Sequence, residues 1–171
     1  MNLQPTLESE LLFIRPLQST DFTELYTAAA DPLIWEQHPQ PDRYQPDIFK
    51  KFFDEAIQSK GAVVIIDPKN NKIIGSSRFY DYSESDSSVL VGYTFIARPY
   101  WGGKHNYDLK KLMVNYCLDY VKTVYFQVGT KNIRSQKALE KIGAINTGVQ
   151  NVVVSYAPPK PSYIYKMENK L

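Results

Sequence analysis

Residues 98–106 read Arg98-Pro99-Tyr100-Trp101-Gly102-Gly103-Lys104-His105-Asn106. Two adjacent glycines free the backbone to curl and let a ligand approach closely. From Tyr107 onward the apolar residues recur at helical spacing. The first amides of that helix therefore point into the curl without intrahelical partners. Together with the positive end of the helix dipole they form an anion site suited to a pyrophosphate, and Lys104 adds a point charge. A plain structural turn accounts for the same residues. Further on, Asn132 can cap a short helix with Ser135 one turn later, and the pair reads either as simple capping or as polar contacts to a ligand. Cys117 lies within an apolar stripe and reads as core. His38 and His105 with one cysteine give no metal-ligand spacing, so no metal is expected.

These residues need a scaffold. Leu11 to Arg15 reads as a strand closed by Pro16. Asp21 and Glu24 have capping-box spacing at the start of a helix whose Phe22, Leu25, Tyr26 and Ala29 share a face, and Asp31-Pro32 stops it. Leu33 to Tyr44 is aromatic and Pro-punctuated, without a sustained period. Pro46 opens a second helix with an apolar stripe of Phe49, Phe52, Phe53, Ala56 and Ile57, ended by Gly61. Ala62–Ile66, Lys72–Tyr82 and Val89–Ile96 then predict three strands of an antiparallel meander, the first two joined by the turn residues Asp67-Pro68-Lys69-Asn70-Asn71.

The period next switches to 3.6. Leu109, Leu112, Met113, Tyr116, Cys117 and Tyr120 mark a helix of about four turns. Val124–Val128 reads as a buried strand, parallel to the strand before the helix. A short helix buries Ala138, Leu139 and Ile142 and ends at Gly143. Thr147–Val154 and Ser162–Met167 close the chain as a strand pair around a Pro-rich loop. The expected fold is an α/β sandwich around one mixed, mostly antiparallel sheet of about seven strands with four helices.

Composition narrows the function classes. A chain of 171 residues fits one domain, and a net charge of +2 with scattered Lys and Arg argues against nucleic acid or a membrane surface as partner. No stretch approaches the ~20 apolar residues of a membrane span. A single cysteine forms no internal disulfide, so the expected location is cytoplasmic. The 13 Tyr and 8 Phe suggest a core and pocket walls built from rings. The Gly-x-x-x-x-Gly-Lys-Ser/Thr pattern of phosphate loops is absent.

Tyr100-Trp101-Gly102-Gly103-Lys104-His105 resembles the acetyl-CoA motif of the GNAT acetyltransferases, in their branch of ribosomal-protein N-terminal acetyltransferases, where an aromatic-Trp-Gly-x-Gly-Tyr run precedes the helix. Lys104 stands where the second motif glycine falls. Asn132 to Gly143 resembles the same superfamily's Asn-x-x-Ser-x-x-small-x-x-Lys-x-Gly segment. Leu12 to Leu17, Asp21 to Tyr26, Ile73 to Ser77 and Val91 to Tyr93 are similar to its first strand, first helix and middle strands, so the likeness spans nearly the whole chain.

The resemblance implies an N-acetyltransferase fold over residues 1–171 and transfer from acetyl-CoA to a primary amine by direct attack. It implies a bulged strand that splays from its neighbour. Backbone groups of Thr94 and Ile96 would meet the pantetheine, and an amide near Phe95 or Ile96 the oxyanion. The amides of Trp101, Gly102, Gly103, Lys104, His105 and Asn106 would hold the pyrophosphate. Asn132 would meet the pantetheine arm and Ser135 would protonate the leaving thiolate, with Tyr163 and Tyr165 as alternatives that read first as core. Lys131, Arg134, Lys137 and Lys141 are candidates for the ribose phosphate, beside their reading as a solvated helix face. Trp35, His38, Tyr80 and Tyr93 are candidates for the acceptor side, beside packing against the second helix as an equal reading of Trp35 and an exposed loop residue as the plain reading of His38. Glu36, His38, Asp81 and Glu84 are candidate bases, none of them singled out. The acceptor segments are Leu33–Tyr44, the hairpin and Ser155–Ser162. Homodimer formation stays open, as does an acyl-CoA-binding module without catalysis.

Overall fold

A computed structural model describes residues 1–152 and 159–171. The elements in chain order are β1 (Leu7–Glu8), β2 (Phe13–Pro16), α1 (Phe22–Ala29), α2 (Pro46–Gln58), β3 (Ala62–Asp67), β4 (Lys72–Ser83), β5 (Ser88–Ile96), α3 (His105–Cys117), β6 (Thr123–Gly129), α4 (Ile133–Lys141), β7 (Ile145–Val152) and β8 (Lys160–Met167). The strands form one sheet in the order β1-β2-β3-β4-β5-β6-β8-β7. Among the described residues only β5 and β6 run parallel, as the strand–helix–strand unit around α3 requires. The fold is thus the expected mixed α/β sandwich, with β1 as an eighth strand of two residues, too short to leave a pattern.

Every residue of β3 is buried, because the sheet is covered on both faces. Side chains alternate across a strand, so Val63 and Ile65 enter a layer with Leu109, Met113, Val114 and Cys117 of α3 and Leu139 of α4. Ala62, Val64 and Ile66 enter a second layer with Leu25 and Ala29 of α1 and Phe49, Phe52, Phe53 and Ala56 of α2. This second layer is aromatic: Trp35, Phe49, Phe52 and Phe95 meet in tilted and edge-on pairs with centroids 5.0–6.4 Å apart.

The partners of two residues differ from the expected capping box. Asp21 instead forms a two-pronged ion pair with Arg15, both contacts at 2.8 Å, and accepts the Gln18 amide at 2.8 Å. Glu24 reaches across to β4 and accepts the Ile73 amide at 2.7 Å. Helix-terminal acids are thus spent on tying α1 to the sheet. The Pro-punctuated segment resolves into two short 3-10 turns, Pro32–Ile34 and Pro41–Tyr44, each with proline in its first positions. Asp67 accepts the Lys69 amide at 2.9 Å in the β3–β4 turn, with Asn71 in the left-handed region. The expected strand end Val153–Val154 and Ser155 to Pro158 of the expected acceptor loop lie outside the described residues.

Candidate active site

The site begins with one surplus residue. Ser76 of β4 pairs with Phe95 and Arg78 with Gly92, so two steps on β4 face three on β5. Tyr93 sits in this bulge with φ of 53°, a conformation that costs a bulky residue strain. An odd insertion exchanges the two faces of a strand. Accordingly Val89 and Val91 belong to the layer under α3 and α4, while Phe95 joins the aromatic layer under α1 and α2.

Beyond the bulge β5 leaves its parallel neighbour. The β5–β6 ladder runs only from Ser88 against Thr123 to Leu90 against Tyr125. The rest of β5 and residues Phe126–Gly129 of β6 form opposite walls of a cleft of about 240 Å³. The Ala97 amide donates to Ile74 at 2.7 Å and Ile96 lies opposite Gly75, so the ladder alternation turns the Ile96 main chain away from β4. Its carbonyl accepts the Trp101 indole N–H at 2.8 Å, which leaves its amide as the group for a ligand.

The Gly102–Gly103 curl closes one end. Gly102 has φ of +72° with nothing within 4 Å of where a Cβ would stand, and no side chain caps the start of α3. Trp101, Gly102 and Asn106 line the cleft; Gly103, Lys104 and His105 lie outside its lining. His105 packs edge-on against Tyr100, centroids 5.0 Å apart, with its Nδ1 buried and without a hydrogen-bond partner. On the facing wall, Asn132 Oδ1 accepts the Ser135 amide at 3.1 Å, the expected cap, and both residues line the cleft. Lys137 is exposed and outside the lining. Arg134, by contrast, stacks 4.0 Å over the Trp101 ring and donates to the Leu33 and Ile34 carbonyls at 3.3–3.5 Å, pinning α4 to the first 3-10 turn.

Thr94, Tyr80, Tyr93 and His38 line the other end. Tyr80 packs on Tyr93 at 5.2 Å and its hydroxyl donates to Gln127 at 3.4 Å. Burial, reinforced by Tyr93 and Asp81, pushes the Tyr80 phenol upward, so it remains a donor. Trp35 is not an acceptor-side wall but takes its packing reading: the side chain is fully buried, meets Phe52 of α2 edge-on at 6.1 Å, donates to the Ala29 carbonyl at 2.7 Å and walls no part of the cleft. Tyr165 is core, donating to Glu140 at 3.3 Å, and Tyr163 lies outside the lining. The Cys117 thiol is fully buried and pushed up to about 12 by that burial, which keeps it un-ionised as a core residue.

Of the candidate bases, Glu36 is exposed 3.8 Å from Arg134, and Asp81 and Glu84 are surface residues. No Asp or Glu lines the cleft among the described residues. His38 is held down to about 3 by burial and by the fields of Arg43 and Arg134. An imidazole that weak does not take a proton from an ammonium group near ~8. The depressed value has a stability consequence. Above its ordinary value of 6.5 both folded and unfolded chains carry neutral imidazole, whereas below it the unfolded chain takes up a proton that the fold refuses. Stability is therefore expected to fall as pH drops from 6.5 toward about 3, and His38→Asn to flatten that slope in a thermal-unfolding series.

The cations that line the cleft are Arg43, Lys110 and Arg134. Lys110 sits on the buried face of α3, three, four and seven residues before Met113, Val114 and Cys117, with only 7% of its surface exposed. Its ammonium lies 3.5 Å from Thr94 Oγ1 and 5.0 Å from the Phe126 ring centroid, and burial lowers it to about 8. Its helical spacing puts it on the α3 stripe, where a lysine among apolar residues gives no sign in the sequence that it is buried.

Residues 12–145 match the family model described as acetyltransferase (GNAT) domain. Similar solved structures include a GCN5-related N-acetyltransferase from Brucella melitensis (15% identity, TM-score 0.82, 96% of this chain and 79% of that one). Another is the ribosomal-protein-S5-alanine acetyltransferase from Vibrio fischeri (15%, TM-score 0.71, 96% and 97%). A third is the microcin C7 self-immunity acetyltransferase MccE in complex with acetyl-CoA and AMP (13%, TM-score 0.77, 98% and 99%). At these identities the likeness is one of fold. No curated protein matches the chain. A family match over most of the chain, joined to a bulged strand that parts from its parallel neighbour beside an uncapped helix start, places this protein in the GNAT acetyltransferase family.

Proposed function

We propose that the protein moves an acetyl group from acetyl-CoA to a primary amine, a protein N-terminus or a small amine, by direct attack in a ternary complex. The carrying observation is the cleft between β5 and β6, which opens at the bulge and ends on free helix amides. It fits the coenzyme's shape and charge: a narrow gap for the pantetheine, main-chain donors for the diphosphate, cationic Lys110 and Arg134, and no lining carboxylate among the described residues. Residues Trp101 to Asn106 would hold the diphosphate, Thr94 and Ile96 the pantetheine, and Asn132 and Ser135 the sulfur end. When bound, acetyl-CoA supplies the activated acyl group. The thiolate it releases needs a proton, since thiols titrate near ~8.5, and Ser135, which lines the cleft beside Asn132, would give a hydrogen bond there.

The likeness to the Vibrio fischeri ribosomal-protein acetyltransferase supports a peptide N-terminus as acceptor. An α-amino group near ~8 is partly neutral at physiological pH, which suits a cleft with no strong base. Thiol release from acetyl-CoA over a panel of peptides, polyamines and aminoglycosides is expected to exceed background hydrolysis. Calorimetric binding of acetyl-CoA with no turnover on any acceptor would leave a binding module instead. Ser135→Ala is expected to lower kcat by about a hundredfold while the KM for acetyl-CoA holds; an unchanged kcat removes Ser135 from the proton path.

A further inference from the structure

Two guanidinium groups are buried at the acceptor end of the cleft without a buried carboxylate beside them. Arg43, 2% exposed, lines the cleft, and among the described residues its hydrogen bonds run to one neutral oxygen, Gln40 Oε1, at 3.1 and 2.8 Å. Its Cζ stands 4.6 Å from the Phe52 centroid and 5.6 Å from that of Trp35. Arg78, 6% exposed, lies behind Tyr93 with its Cζ 4.1 Å from the ring centroid, and its Nε and Nη2 have no hydrogen-bond partner. The same bulge that opens the cleft sets the Tyr93 ring against Arg78.

Buried cations are ordinarily paired, and two within reach of one another are costly. Burial lowers both, Arg43 to about 10, and Arg78 lowers Arg43 further; Tyr93 and the half-buried Glu55 of α2 offset part of this. Arg43 is the guanidinium that reaches the cleft, its Nε and Nη2 held by Gln40, and Arg78 adds buried positive charge from outside the lining; a fixed cation at a cleft wall favours an anion. Neither arginine is needed for the diphosphate, which the Gly102–Gly103 curl and the start of α3 serve at the other end.

We propose that Arg43, backed by Arg78, forms an anion subsite for the acceptor, so that the preferred acceptor is an amine that also carries a carboxylate. This rests on the transferase reading and deepens it. It disfavours polyamines and aminoglycosides, whose surplus positive charge meets Arg43. It favours a free amino acid or a peptide with an acidic residue next to its amino terminus, two sources of the same chemistry.

Matched acceptors test it on the unaltered protein: the peptide amides Ala-Asp-Gly-Gly and Ala-Asn-Gly-Gly, and glutamate against its diamide. The carboxylate member of at least one pair is expected to have a kcat/KM about tenfold higher, the weight of one charge-assisted hydrogen bond. The pair that responds identifies the source. In Arg43→Gln the ratio is expected to collapse toward unity while the KM for acetyl-CoA is held. Should that variant not fold, the comparison on the unaltered protein decides alone. Equal rates within both pairs, or a preference for spermidine, overturn the proposal. Should no acceptor turn over, calorimetry of the same pairs on coenzyme-loaded protein separates the two readings. Tighter binding of the carboxylate members keeps the subsite and sinks the transferase, whereas equal or undetectable binding sinks the subsite.

Discussion

Lys110→Met is expected to raise the melting temperature and weaken acetyl-CoA binding at once. The ammonium has lost its water on the buried face of α3, stands 5.0 Å from the Phe126 ring centroid, and among the described residues meets one hydroxyl, Thr94 Oγ1 at 3.5 Å. Its fall from 10.5 to about 8 corresponds to about 3 kcal/mol against the folded state. Methionine fills a similar volume without that penalty. The sign follows from linkage. Above 10.5 the lysine is neutral in both states and the penalty vanishes; between 10.5 and about 8 only the unfolded chain is protonated, so stability falls with pH; below about 8 the penalty is full. The variant's gain is therefore expected to be about 2 kcal/mol at neutral pH and to fade toward 10.5, which thermal unfolding across that window reads directly. The loss is in the ligand: removing a desolvated cation from the cleft is expected to weaken acetyl-CoA binding about tenfold by calorimetry. A variant both less stable and unchanged in affinity would make Lys110 a packing residue.

The larger structural effect is expected from Gly75→Ala. A Cβ there would stand 2.2 Å from the Phe95 carbonyl oxygen and 3.1 Å from the Ile96 Cα, both main chain. No rotamer relieves this, so β4 and β5 must part next to the bulge. The expected cost is about 3 kcal/mol or more, measured by denaturant unfolding. The same shift displaces the Thr94–Ile96 wall, and a misplacement of about 1 Å is enough to lower kcat/KM for acetyl-CoA by about a hundredfold. Gly102→Ala is the informative contrast. Its Cβ meets nothing within 4 Å, so only the left-handed φ opposes it, at about 1 kcal/mol. Equal losses at the two positions would show that steric closeness at the bulge is not the governing term.

How much of this was legible depends on the range of the interaction. Elements with a sustained period, α2 with its phenylalanines and the β3–β5 meander, stand where the residues predict them, because the apolar face of each is local information. The Asn132 cap and the curl at Gly102 were readable for the same reason. Partners across the fold were not. Asp21 and Glu24 have the spacing of a local cap, yet Asp21 caps one turn earlier, at the Gln18 amide, while pairing with Arg15, and Glu24 goes to the Ile73 amide; nothing in the segment reveals that competition. Trp35 among prolines reads equally as a pocket wall or as packing on α2, and only the folded layer decides for packing, with the indole bonded to Ala29. Lys110 is missed because a polar residue inside an apolar stripe reads as surface, and Arg43 and Arg78 because an arginine in a turn or strand reads as surface until the layer that covers it is known.

The face exchange at Tyr93 carries a mechanical consequence. Upstream of it the strand's side chains are seated under α3 and α4, and downstream Phe95 is seated among the rings under α1 and α2. The two halves of the molecule are thereby threaded on one run of peptide bonds, with the opening at the point of crossing. A displacement of either layer is therefore expected to reach the other through covalent links, as torsion of β5, and one wall of the opening lies on that segment.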